Sequence, residues 1–173
     1  WQPGSSTVRI QQHLACQTRT ADGTIWGVFS PSGESLGRVI SNKVEMLTTG
    51  LRFHPANTLL AGQDGRLWIA HQNGLAWVWP ECYARSADGA WRPKPEFEGK
   101  AAGQLLKERD LPKAEIVGIV EDRSGGIWIG SRGGGITRLT LEKTDPERKG
   151  IPPLDHPTGI LKKEIFTTSD GLA

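Results

Sequence analysis

The residues of this chain whose types could do chemistry are few, and most lack the partners that chemistry needs. Gly33-Glu34-Ser35-Leu36-Gly37 spells the pattern of a nucleophile elbow. A serine nucleophile of that kind sits on a sharp strand-to-helix turn and needs an acid and a histidine later in the chain. Here Ser35 follows a turn and opens an alternating stretch, so a plain hairpin is the better reading. His13, His54, His71 and His156 show no ligand spacing, whereas a zinc site needs three or four converging ligands. Gly130 to Gly135 is glycine-rich but lies between two strand-like stretches. A phosphate cradle needs a helix N-terminus after it, so a tight turn is expected. No carboxylate pair stands out for general acid–base work. The sequence offers neither a catalytic constellation nor a metal or cofactor site.

What remains are candidates for binding. Trp77, Trp79 and Trp91 do not recur in the third unit of the repeat described below. An indole stacks well on the C–H face of a sugar ring, or on a partner. Arg132, in a turn beside small residues, is a comparable candidate for an anionic ligand.

The elements that would position these residues come from a repeat. Leu51 to Trp68 spans 17 positions and so does Leu111 to Trp128; Leu51 to Leu111 is 60 and Leu111 to Leu172 is 61. A fixed period of this kind marks a repeat architecture. Each unit has a glycine turn leading into an apolar stretch that carries a tryptophan. The copies are Asp22-Gly23-Thr24-Ile25-Trp26, Asp64-Gly65-Arg66-Leu67-Trp68 and Ser124-Gly125-Gly126-Ile127-Trp128. Gly23, Gly65 and Gly125 are the turn positions, and Trp26, Trp68 and Trp128 are expected to pack neighbouring units together.

Within each unit, short alternating stretches predict antiparallel strands. They are Leu14–Thr18, Ile25–Ser30 and Leu36–Ile40; Thr58–Gly62, Arg66–His71 and Leu75–Trp79; Ile116–Glu121, Ile127–Gly130 and Ile136–Leu141. Asp64-Gly65 reads as a two-residue hairpin turn whose positions must both tolerate positive φ, and Asn73-Gly74 makes the next turn. A fourth strand is expected at Val44–Thr48, Gln104–Lys107 and Glu164–Thr168. Ala101 to Arg109 has some helical propensity, but its place in the repeat argues for a strand. Four strands per unit is the composition of a propeller blade. The predicted fold is all-β: a propeller segment with blade-like units at about 8–47, 48–108 and 109–168 and a lead-in at 169–173. The extra length of the 60-residue units falls at 80–103 and 142–163. Both stretches are rich in proline and charge, and they are expected to leave from a common side.

Bulk composition agrees with a folded domain. The 173 residues include seven tryptophans among 22 glycines and 11 prolines, so the chain is not disorder-like. A net charge of +2 is too balanced to argue for nucleic acid or an anionic membrane. No apolar run approaches the length of a membrane span. Cys16 and Cys82 fit no metal motif; a disulfide between them is left open, and small buried hydrophobes are the usual fate of free cysteines. Residue 1 is Trp, so the natural N-terminus and its targeting signal are expected upstream. About three blades do not close a ring. The partners expected are therefore the remaining blades of the same protein, about seven in all, or a second copy.

At Glu121-Asp122-Arg123-Ser124-Gly125-Gly126-Ile127-Trp128-Ile129-Gly130-Ser131, followed by Gly134-Gly135-Ile136, the chain resembles the two-component regulator propeller repeat. Thr167-Thr168-Ser169-Asp170-Gly171-Leu172 matches that family's lead-in. The second unit departs at Gln63 and Ala70, and the first at Gly27. The resemblance implies a non-catalytic, periplasmic or extracytoplasmic sensor that responds to a ligand, in many members a carbohydrate breakdown product. It also implies a membrane span and signalling output in parts of the parent protein outside this chain. The alternatives are a carbohydrate-active enzyme on a propeller, such as a glycosidase or lyase, or a scaffold for protein partners.

Overall fold

A computed structural model of the chain describes residues 13–30, 35–41, 43–53, 55–106, 110–143, 152 and 159–171. The expected leading piece (residues 1–12), the turn at 31–34, His54, His156, most of 144–158 and Leu172 lie outside the described residues.

The described chain is built of β-strands and short 3-10 turns. The first blade is a meander of β1 (His13–Arg19), β2 (Ile25–Ser30), β3 (Ser35–Ile40) and β4 (Lys43–Leu47). The second comprises β5 (Ala56–Ala61), β6 (Leu67–His71) and β7 (Gly74–Val78). It is completed, after an insertion, by β10 (Ala102–Leu106). The insertion holds the short pair β8 (Tyr83–Arg85) and β9 (Trp91–Pro93). The third blade is β11 (Glu115–Glu121), β12 (Ile127–Arg132), β13 (Gly135–Leu141) and β14 (Ile160–Phe166). The first strand of each blade carries a bulge at the same repeat position: Leu14/Cys16, Ala56/Thr58 and Ile116/Gly118. A bulge there adds right-handed twist where the blades converge.

The strand β5 lies between β1 and β11, so the second blade is the middle of the stack. Every residue of β6 and β7 is buried. Its neighbours each keep exposed apolar residues. In the third blade Ile127, Ile129 and Leu139 are buried, while Val120, directly opposite Trp128, is 61% exposed. In the first blade Trp26 and Val28 are buried and Ile25 is 44% exposed. One core joins all three blades, from Val28 and Leu36 through Trp68 and Trp79 to Ile129 and Leu139.

Two glycines fix how the third strand of a blade meets the fourth. Gly74 and Gly135 both have positive φ, +148° and +76°. A Cβ on either would lie 2.0 Å from a backbone oxygen, that of Leu105 or Phe166. Only glycine lets these strands approach at this point.

Three expectations need correction. The Asp-Gly turns are not two-residue hairpins with both positions at positive φ: Gly65 is at +94°, but among described non-glycine residues only Ser41 is positive. The Gly65 N–H donates to Gly62 O (3.0 Å) and the Gly62 N–H to Arg66 O (2.8 Å), so a tight turn is followed by a glycine bulge. Next, the strand expected at Glu164–Thr168 ends at Phe166. Thr167 and Asp170 cap each other's backbone there and turn the chain into a 3-10 turn at Thr168–Asp170. Finally, residues 80–101 are not a plain loop. They hold 3-10 turns at Pro80–Cys82 and Pro95–Phe97 as well as β8 and β9. The pair folds back on the first blade, where β9 runs parallel to β4, with Trp91 opposite Leu47. The Thr48 N–H donates to Trp91 O at 2.9 Å.

Candidate functional site

Three turns of one design gather polar chemistry at one end of the blades, and a fourth of the same design closes the β8–β9 pair of the insertion. Thr20–Thr24, Gly62–Arg66 and Asp122–Gly126 join the first two strands of each blade, and Ser86–Ala90 joins β8 to β9. In each, the first residue's N–H donates to the fifth residue's carbonyl, and the glycine fourth donates back to the first. A short side chain caps each turn. Asp22 accepts from the Thr24 N–H at 3.0 Å, Asp64 from the Arg66 N–H at 2.9 Å and Asp88 from the Ala90 N–H at 3.1 Å. In the third blade acid and hydroxyl trade places: Asp122 stands first and Ser124 third, and the Ser124 hydroxyl still donates to the carboxylate at 2.5 Å. These hydrogen bonds favour the charged form and hold the carboxyls of Asp22, Asp88 and Asp122 below their usual range, Asp88 at about 2.

A second pattern runs across each blade. Trp26 lies opposite Arg38, and Arg38 opposite Glu45; Trp128 lies opposite Arg138, and Arg138 opposite Glu164. Arg38 is held by Glu45 at 3.1 Å, and Arg138 sits 5.3 Å from the Trp128 ring centre. In the middle blade the same row reads Trp68, Trp77, Gly103. The two indoles meet at 6.0 Å, and Gly103 makes the room, since a Cβ there would lie 2.4 Å from the Trp77 ring.

A cleft with charged walls opens between the first and second blades, at the end where the turns at 20–24 and 62–66 lie. It measures about 760 Å³, within the range of small-ligand sites. The turn at 20–24 and the start of the turn at 62–65 form two walls, with Trp26, Arg19 and Arg38 from the first blade. The insertion adds Pro80, Glu81 and Lys94. Arg38 is fixed twice, by Glu45 and by stacking 4.1 Å over the ring of Trp91. The fold-back of the insertion thus builds one side of the cleft.

Sequence reasoning named other residues, and the structure does not bring them together. Trp79 is fully buried and Trp77 is 5% exposed, so neither ring is open to a ligand. Trp79 covers Arg66, whose guanidinium lies 4.7 Å from the Trp79 ring and 4.6 Å from that of Trp68. Arg66 is itself fully buried and pairs with Asp64 at 2.6 Å. Trp91 is half-buried behind Arg38. Arg132 is exposed at the far end of the third blade, 3.4 Å from Glu115. Of the repeat positions, Trp26 and Trp68 are buried. Trp128 is half-buried on the open face, stacked on Phe166 at 5.9 Å. Gly23, Gly65 and Gly125 occupy equivalent left-handed turn positions.

Arg19 and Lys94 were missed because they recur in no motif, and Arg38 because its counterpart Arg138 stands at a different spacing from its tryptophan in the sequence. The one available signal was the placement of an insertion after the third strand, which carries its residues to the turn end. Ser35 opens β3 within the sheet, not a helix. His71 is buried. Cys16 and Cys82 are not joined by a disulfide; burial pushes their thiols up to about 11 and about 12.

Residues 110–133 match the family described as two component regulator propeller. No curated protein matches the chain. Among solved structures, the chain is similar to a catalytically inactive H270A virginiamycin B lyase from Staphylococcus aureus with quinupristin. Identity is 14% and the TM-score 0.53, over 83% of this chain and 45% of that one. The selenomethionine-substituted lyase from the same organism gives 14% and 0.52, over 82% and 45%. The extracellular domain assigned to a hybrid two-component system of B. thetaiotaomicron gives 19% and 0.49, over 80% and 17%. The chain therefore spans less than half the length of these proteins. The lyase likeness shows the fold alone. The shared strand order, the equivalent turns and the match at 110–133 converge: this chain is a β-propeller segment that carries the two-component regulator propeller repeat.

Proposed function

We propose that this chain is part of the extracytoplasmic sensor propeller of a two-component signalling protein, non-catalytic, with an oligosaccharide as its ligand. The observation that carries the reading is the match of residues 110–133 to the regulator propeller repeat. The cleft between the first two blades supports it, because it joins turns from separate blades and an insertion. A ligand bound there touches elements that are far apart in sequence, as a sensor requires. The remaining blades of the parent protein, or a second copy, cover the open faces at Ile25 and Trp128.

Titration calorimetry against a panel of oligosaccharides, with product analysis of the same mixtures, tests this. Saturable binding without turnover is expected. Turnover of a bound sugar would replace the sensor reading with an enzymatic one, and silence across the panel would remove the oligosaccharide.

A further inference from the structure

The cleft's charges are unequally committed. Of its two acids, Asp22 is engaged by its own turn: the Thr20 hydroxyl donates to it at 2.5 Å, the Thr24 N–H at 3.0 Å and the Thr24 hydroxyl at 2.9 Å. Of its three cations, Arg38 is paired with Glu45 and stacked on Trp91. Arg19 and Lys94 make no ion pair among the described residues. They come from different elements, Arg19 from the end of β1 and Lys94 from the insertion behind β9. The turn at Gly62 and Gly65 and the nearly buried Trp26 line the same cleft.

We infer that this cleft takes an anionic sugar, one that bears a carboxylate or sulfate group, with Arg19 and Lys94 as the groups that bind the charge. The inference rests on the sensor reading and adds the substrate class and the site. A guanidinium offers paired donors that match a carboxylate or sulfate, and an ammonium adds a movable point charge. Arg38, held by Glu45, contributes shape and field. Because Lys94 sits on the segment that folds back over the first blade, an anion held by both cations ties that segment to the blade beneath it.

The test is calorimetry with three probes: digalacturonate, a sulfated disaccharide and neutral cellobiose. The protein is compared with Arg19→Gln, Lys94→Gln and Arg132→Gln, and unchanged melting curves establish that each variant is folded. Binding of one or both anionic probes is expected, with each of Arg19→Gln and Lys94→Gln weakening it at least tenfold. That affinity should also fall as salt rises. The carboxylated and sulfated arms separate the two sources of charge. Equal binding of cellobiose would overturn the inference while leaving the sensor reading in place. So would loss of anion binding in Arg132→Gln alone, which would move the site to the far end of the third blade. No binding of any probe would overturn the inference.

Discussion

The indole N–H of Trp128 donates to the carboxylate of Asp122 at 2.7 Å. The same carboxylate accepts from the backbone N–H groups of Ser124 and Gly126, at 2.8 and 2.9 Å. One side chain thus shapes the turn and fixes the tryptophan of the following strand. In the middle blade the equivalent position is Gly62, and no acceptor reaches the buried Trp68 Nε1. The repeat keeps its tryptophan even where its partner is lost, because packing between blades outweighs one hydrogen bond.

Asp122→Ala should therefore lower the melting temperature more than Ser124→Ala, since it removes the acceptor of five hydrogen bonds where Ser124→Ala removes the donor of one. Thermal denaturation followed by Trp fluorescence measures both. Equal effects would mean that Asp122 does not organise the turn.

Arg66 is a charge in the core, between two indoles, and Asp64 is its counter-ion. Burial lowers the pKa of its guanidinium, and the charge of Asp64 pulls the other way. Asp64→Ala takes away the paired carboxylate, leaving the buried cation with less compensation, and should cost about 3–5 kcal/mol in urea unfolding. The double change Asp64→Ala with Arg66→Met removes both charges and should recover much of that loss. If the double variant is no more stable than the single one, the ion pair is not what Asp64 contributes.

Gly103 makes space for Trp77 in the middle blade. Gly103→Ala should cost about 1–3 kcal/mol through overpacking. Adding Trp77→Leu should relieve it, and a double-mutant cycle reads the coupling. Additive effects would show that the two positions do not press on one another.

The turn carboxylates make stability depend on pH. Asp22, Asp88 and Asp122 have folded values below the ordinary 3.8, Asp88 at about 2. Their contribution is fully present above about pH 4 and is lost as pH falls through the folded values. Glu121 has the opposite sign. Desolvation raises its value above 4.5, so its contribution is present at lower pH and is lost as pH rises through the raised value. Melting scans should show stability falling from about pH 4 toward pH 2, and Asp88→Asn should reduce that slope. A flat profile would remove the turns from the acid response.

The blades were legible because their strands alternate and their glycines recur at fixed spacing, as at Gly65 and Gly125. The cleft was not, for reasons seen in particular residues. Leu47 pairs with Trp91 across an intervening blade core, and no local periodicity signals that contact. Trp77 looked like a spare aromatic because the equivalent position is Arg in both other blades, and only the register shows the exchange. Arg66 closes a turn just before a strand, where a charge ordinarily faces water. Its burial follows from Trp79 lying over it.

Hydrogen–deuterium exchange with and without a saturating anionic disaccharide locates the ligand. Slowed exchange in residues 19–26, 61–66 and 79–95 together is expected, since the three segments wall one cleft. Protection confined to residues 130–135, or absent from 79–95, would contradict a site between the first two blades.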